Sequence, residues 1–158
     1  MSEVLGFLWK TLAVLLTVGV VIYMGERGFS GNTDSIAVSD VAQLALNVKQ
    51  LYSGSANYGT LTNTVALNAD IVPQSMVSGA SVVNPWAGTV TLQPDAAPGW
   101  FDQVWSNVPR ASCAKIVTGV SSAVQITVNG SAMTPPVDGG TAATACNAAA
   151  NSITFAFN

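Results

Sequence analysis

Residues 4–24, VLGFLWKTLAVLLTVGVVIYM, form an apolar run interrupted by one charge, Lys10. As a helix its 21 residues reach about 30 Å, enough to cross a bilayer core. The pattern then changes. Beyond a glycine-rich joint, Gly28-Phe29-Ser30-Gly31-Asn32, the residues Val41, Leu44, Val48 and Leu51 follow the i, i+3, i+7, i+10 rhythm of one helical face. Asp40, Gln43, Asn47 and Lys49 fall on the other side. This spacing predicts a helix from about Asp34 to Tyr52, within 33–52, capped by Thr33 or Asp34 and stopped at Ser53-Gly54. A helix apolar all round needs lipid or other protein on every side, whereas a one-sided helix packs on a domain. The first half therefore projects and the second docks.

From Gly54 onward, Ser, Thr, Asn and Gly punctuate short apolar runs. Ala80–Val83, Thr89–Leu92, Val124–Val128 and Ile153–Phe157 read as strands, several with period-two alternation. Asn129-Gly130 is a strong hairpin-turn signal. Ala111–Val120 reads as a short helix, and the stretch from Pro135-Pro136 through Asp138-Gly139-Gly140 as a loop. The class expected is α+β: a long N-terminal helix with an apolar first half and an amphipathic second half, packed on a small, mostly antiparallel sheet. Residues 1–28 make the apolar segment and residues 29–158 the globular domain.

Composition narrows the function. The chain has 158 residues, 49% hydrophobic and only 8% charged, against a globular norm of about 25% charged. Its net charge is −3, and no basic cluster offers to displace phosphate counterions, so no nucleic-acid partner is expected. Histidine is absent, which excludes Ser-His-Asp and Cys-His catalysis and imidazole-ligated metal. Asp70, Asp95, Asp102 and Asp138 are scattered among loop signals without a spaced carboxylate pair. Neither enzyme activity nor a cofactor or metal is expected. So weakly charged a chain tends to self-associate.

The apolar N-terminal run admits four readings: a cleaved signal peptide, a simple membrane anchor, a buried core helix, and a helix that lives first in a membrane and later in a polymer. The acidic start and long apolar run speak against the first. Glu3 and Lys10 lie seven apart on one helical face, too far to pair within a helix but placed to pair between staggered copies. Snorkelling of both to the interface is the alternative. Gly6, Ala13 and Gly19 permit close approach of helices. Gly19, Gly25, Gly28 and Gly31 are positions for a bend, a local melt or an ordinary hinge.

Cys113 and Cys146 would close a loop of about thirty residues if paired, stapling a Gly- and Ala-rich segment poorly able to hold itself together. Two free thiols are the alternative reading. Trp86, Trp100 and Trp105 suggest either a sugar platform or, more commonly, core and interface anchors. Asn129-Gly130-Ser131 matches a glycosylation sequon but coincides with the turn signal and is better explained by it.

Several segments together resemble the type IV pilins, and among them the PilS-like type IVb branch. They are Leu46-Asn47-Val48-Lys49-Gln50-Leu51-Tyr52, Asn57-Tyr58, Val83-Asn84-Pro85-Trp86-Ala87-Gly88 and Val108-Pro109-Arg110-Ala111-Ser112-Cys113. The resemblance runs in order along nearly the whole chain. It implies a major subunit that waits in the inner membrane, is processed by a prepilin peptidase and is polymerised with copies of itself by pilus assembly machinery. The product would be an extracellular filament for attachment or for mating-pair contact in conjugation. Met1 is then expected at or near the mature terminus, its amine open to methylation. The family's usual glutamate lies about one turn from that terminus, where this chain has Leu5 and Gly6. Glu3 would take its role in a shifted register, or pair with Lys10 of another subunit. A minor pilin, a secretion-system pseudopilin and a membrane-tethered periplasmic binding domain are the other readings.

Overall fold

The computed structural model describes residues 32–55 and 57–158, and its compact body spans Asp34–Asn158. Helix α1 covers residues 32–51. Its buried stripe is Ala37, Val41, Leu44, Ala45 and Val48. Leu51, expected on that stripe, is 43% exposed. Seven residues at 3.6 per turn bring it back to within about 20° of Leu44, so it keeps the face of the stripe but stands exposed at the last position of the helix. Asp40, expected on the solvent side, is buried instead, because it lies only about 40° from Leu44. There its Oδ1 accepts from Ser75 Oγ at 2.9 Å. The expected caps are also displaced: Thr33 and Asp34 already lie within the helix. Asp34 instead takes Lys115 Nζ at 2.9 Å.

After α1 come a short helix α2 (Asn63–Asn68), started by Thr62 Oγ1 accepting from Val65 N, and a 3-10 turn (Gln74–Met76). Strands β1 (Val77–Ser78) and β2 (Ser81–Val82) make a two-stranded ribbon. The main sheet follows: β3 (Val90–Pro94), β4 (Phe101–Pro109), β5 (Gln125–Val128), β6 (Ser131–Met133) and β7 (Ala150–Phe157). All pairs are antiparallel, in the order β3-β4-β7-β5-β6. Helix α3 (Arg110–Gly119) follows β4, and α4 (Gly139–Ala145) lies between β6 and β7.

Period-two alternation decides the core. Phe101, Gln103 and Trp105 of β4 and Ile153, Phe155 and Phe157 of β7 are buried on one face, joined by Val90 and Leu92 of β3 and Ile126 and Val128 of β5. They cluster with the buried stripe of α1. The register sets Trp105 opposite Ile153 and Gln103 opposite Phe155. A row of rings runs Tyr52–Tyr58–Phe101–Phe157 with centroids 5.2, 4.7 and 5.4 Å apart, ending under Lys49 Nζ at 5.9 Å. Through it the chain leaving α1 is fixed to the sheet.

Strand β4, the longest of the sheet, was not expected from the sequence. Its alternation is broken by Gln103, a polar residue at a fully buried site, by Val104, an apolar residue at an outward one, and by Asn107 at the bulge. Gln103 is accommodated because its Nε2 donates to Val41 O at 3.2 Å. Helix α4 replaces the loop expected around Asp138-Gly139-Gly140. Asp138 caps it, its Oδ1 accepting from Gly140 N and Thr141 N at 2.9 and 3.1 Å, while Thr141 Oγ1 bonds its Oδ2. The Val83–Gly88 segment forms a tight loop on β4. Asn84 Oδ1 accepts from Trp86 N and Gly88 N, and Asn84 Nδ2 donates to Ser106 O at 2.6 Å. Opposite it, β4 bulges between Trp105 and Val108, with Asn107 at φ 58°.

Candidate functional site

Cys113 and Cys146 are joined, their Cα atoms 5.8 Å apart, so α3 is tied to the C-terminal end of α4. The free-thiol alternative is thereby set aside. Two concavities flank α4. One, of about 710 Å³, lies between α4 and β6 and is lined by residues that include Ser131, Ala132, Met133, Gly140, Thr144 and Asn147. The other, of about 340 Å³, lies on the α3 side, with Arg110, Ala114, Ala143 and Cys146 among its lining residues. Arg110 Nη2 donates to Asn147 O there.

A pair of carboxamides ties this region to the sheet. Buried Asn151 donates to Val108 O at 3.1 Å and to Ala148 O at 3.0 Å, and its Oδ1 accepts from Asn129 Nδ2. Asn129 also donates to Ala145 O and accepts from Ser152 N. With both functions of its amide engaged, Asn129 is accounted for by the turn rather than by the sequon. Asn129 at φ 49° and Gly130 at φ 87° match the two-residue hairpin expected from sequence. The pairing of Asn129 with Asn151 has no sequence signal, because nothing in local pattern joins residues 22 apart.

The acidic residues require a correction. Asp95 and Asp102 come together across the β3–β4 connection, where Asp95 N donates to Trp100 O at 3.1 Å and Asp102 stands opposite Gln93. Burial, followed by the charge of Asp95 and a hydrogen bond to it, pushes the Asp102 carboxyl up to about 6, against an opposing bond from Gln93. Asp40 is likewise raised, by burial opposed by its Ser75 bond. Asp138, bonded by Thr141 side chain and backbone, is held below the usual carboxylate range. Asp70, at φ 53°, is exposed at the turn after α2.

Trp105 is wholly buried, Trp86 packs against the core, and Trp100 is half-buried, so Trp105 at least is a core anchor. Met1, Glu3, Lys10, Gly19, Gly25, Gly28 and Gly31 lie outside the described residues, as does the apolar run 4–24. Among the described residues no helix is long and apolar enough to cross a membrane, and no group of three metal-ligating side chains converges.

A family model described as PilS N terminal matches residues 31–158. The type IVb pilin from Salmonella typhi is similar, with a TM-score of 0.68 at 24% identity over 78% of this chain and 99% of that one. TcpA, a type IV pilin from Vibrio cholerae El Tor biotype, has a TM-score of 0.58 at 15% identity over 80% and 99%. At these identities both report the shared fold. No curated relative matches the chain.

Proposed function

This chain belongs to the PilS family and is a pilin of the type IVb kind, and we propose that it is the major structural subunit of its pilus. Residues 1–28 hold the subunit in the inner membrane, after processing by a prepilin peptidase. Pilus assembly machinery then moves that segment into the core of a homopolymer. Residues 29–158 cover the core and face the outside. The filament serves attachment or mating-pair contact in conjugation.

The observation that carries this reading is the union in one chain of a 21-residue apolar run with a pilin body closed by a disulfide. Once out of lipid, an apolar helix stays dry only against copies of itself, and burying its side chains at roughly 1.5–3 kcal/mol each favours the polymer strongly in gross terms. A disulfide fits an oxidising exterior. The 8% charge of the chain fits a surface partly covered by neighbouring subunits.

Electron microscopy of material sheared from cells carrying the assembly system tests it, with Glu3→Ala beside the wild type. Abundant thin fibres made of this chain are expected, and their loss in the variant gives Glu3 the assembly role. Fibres that persist return Glu3 to the membrane interface. Incorporation only in trace amounts would make the chain a minor pilin or pseudopilin. Retention in the membrane without fibres would make it a tethered binding domain.

A further inference from the structure

The early turns of α1 are held to the body differently from the rest of the helix. From Val41 onward α1 docks through Val41, Leu44, Ala45 and Val48, all buried in the core. Among residues 34–38 the one fully buried apolar side chain is Ala37, and Ile36 is 40% exposed. So little apolar area holds this turn weakly by itself.

Contact with α3 adds to it. A Cβ on Gly119 would lie 2.9 Å from Val38 Cγ2, so the backbone of α3 runs close against that side chain. Asp34 is buried, with Oδ2 on Lys115 Nζ at 2.9 Å and Oδ1 shielded from solvent without a hydrogen-bond partner. The Lys115 side chain, by contrast, is 60% exposed. Separation therefore costs the lysine little, whereas a carboxylate left in that site alone is desolvated and unpaired. Lys49 and Arg110, the other cations among the described residues, are engaged at the Phe157 ring and at Asn147 O. Lys115 stands two residues after Cys113, whose bond to Cys146 ties α3 to α4.

We propose that α3 is a latch on the start of α1 with two states. In the closed state Asp34 is docked on Lys115 and residues 34–38 are held on the body. In the open state Asp34 is hydrated and those residues have lifted away, while α1 from Val41 onward stays docked. Loss of the Lys115 charge drives opening, because hydrating Asp34 gives up only one weakly anchored turn. The latch belongs to the folded body and does not depend on polymerisation.

The test is amide hydrogen exchange of the 15N-labelled full chain in detergent, read by NMR at Ile36, Ala37 and Val38. Lys115→Met should speed exchange there by about tenfold or more and leave β4 and β7 unchanged. Adding Asp34→Asn to it should bring the rates back to within about threefold of wild type, since no charge is then stranded. A pair that merely adds to packing would show no such rescue. Three results would overturn the proposal: Lys115→Met that leaves these amides protected, acceleration spread equally to β7, or a double variant as fast as the single. If Lys115→Met alone does not fold, the double variant decides. Near wild-type protection in it supports the latch, and a double variant that is unfolded or loosened at these amides overturns it.

Discussion

Asn129 Nδ2 lies 2.8 Å from Asn151 Oδ1, and this contact holds the β5–β6 turn to the chain emerging from the disulfide-bounded region. Asn151 is 1% exposed, and its amide also serves Val108 O, Ala148 O and Ala148 N. Removing it strands the buried Val108 carbonyl and three part-buried groups at once. Asn151→Ala is expected to cost about 2–3 kcal/mol, and Asn151→Asp a similar amount, since an ionised carboxylate cannot donate to the two carbonyls. Urea unfolding of the variants checks this, with Asn129→Ala expected to cost less because its site is exposed.

The Cys113–Cys146 bond spans 33 residues of sequence. Replacing both by serine is expected to destabilise the body by about 3–4 kcal/mol through the freed chain entropy. The effect should concentrate in α4, a seven-residue helix with one buried residue, Ala142. Hydrogen exchange should show Thr141–Ala145 opening well before β4 and β7.

Asp102 makes stability fall as pH rises. Its folded carboxyl titrates near 6, above its ordinary 3.8, so the folded state holds a proton that the unfolded chain has released. The loss accrues from about pH 4 to about 6 and is complete above. Asp102→Asn should remove that slope and stabilise the protein at neutral pH by about 1 kcal/mol, once screening at a half-buried site is allowed for. Asp95→Asn should lower the Asp102 midpoint. Denaturation across this range and carboxyl NMR titrations read the two effects.

A Cβ on Gly88 would lie 2.0 Å from Ser106 O and 2.7 Å from Asn84 Nδ2. The loop would have to leave β4, taking the Asn84 bonds with it. Gly88→Ala is expected to cost about 3 kcal/mol or more, by analogy with other overpacked sites. Gly54→Ala, with nothing within 4 Å, is the neutral control. Thermal unfolding separates them.

Much of this fold is written in local pattern. The α1 stripe through Val41, Leu44 and Val48, the Asn129-Gly130 turn and the alternation of β7 each follow from spacing within a few residues, which backbone geometry converts directly into a face or a turn. The pairing of Cys113 with Cys146 was legible as a choice between two states. What escaped were sites where a distant partner overrides the local signal. Gln103 is at home in the core because Val41 O meets it, and Asp40 because Ser75 does. Asp95 and Asp102 become a pair only because β3 and β4 set Gln93 opposite Asp102. The groove beside β6 has no sequence signature, since its walls are ordinary Ser, Thr, Ala and Gly. Periodicity and turn chemistry act over one element and so are visible in the chain itself. Burial of polar groups depends on contacts across tens of residues, and tertiary structure alone decides it.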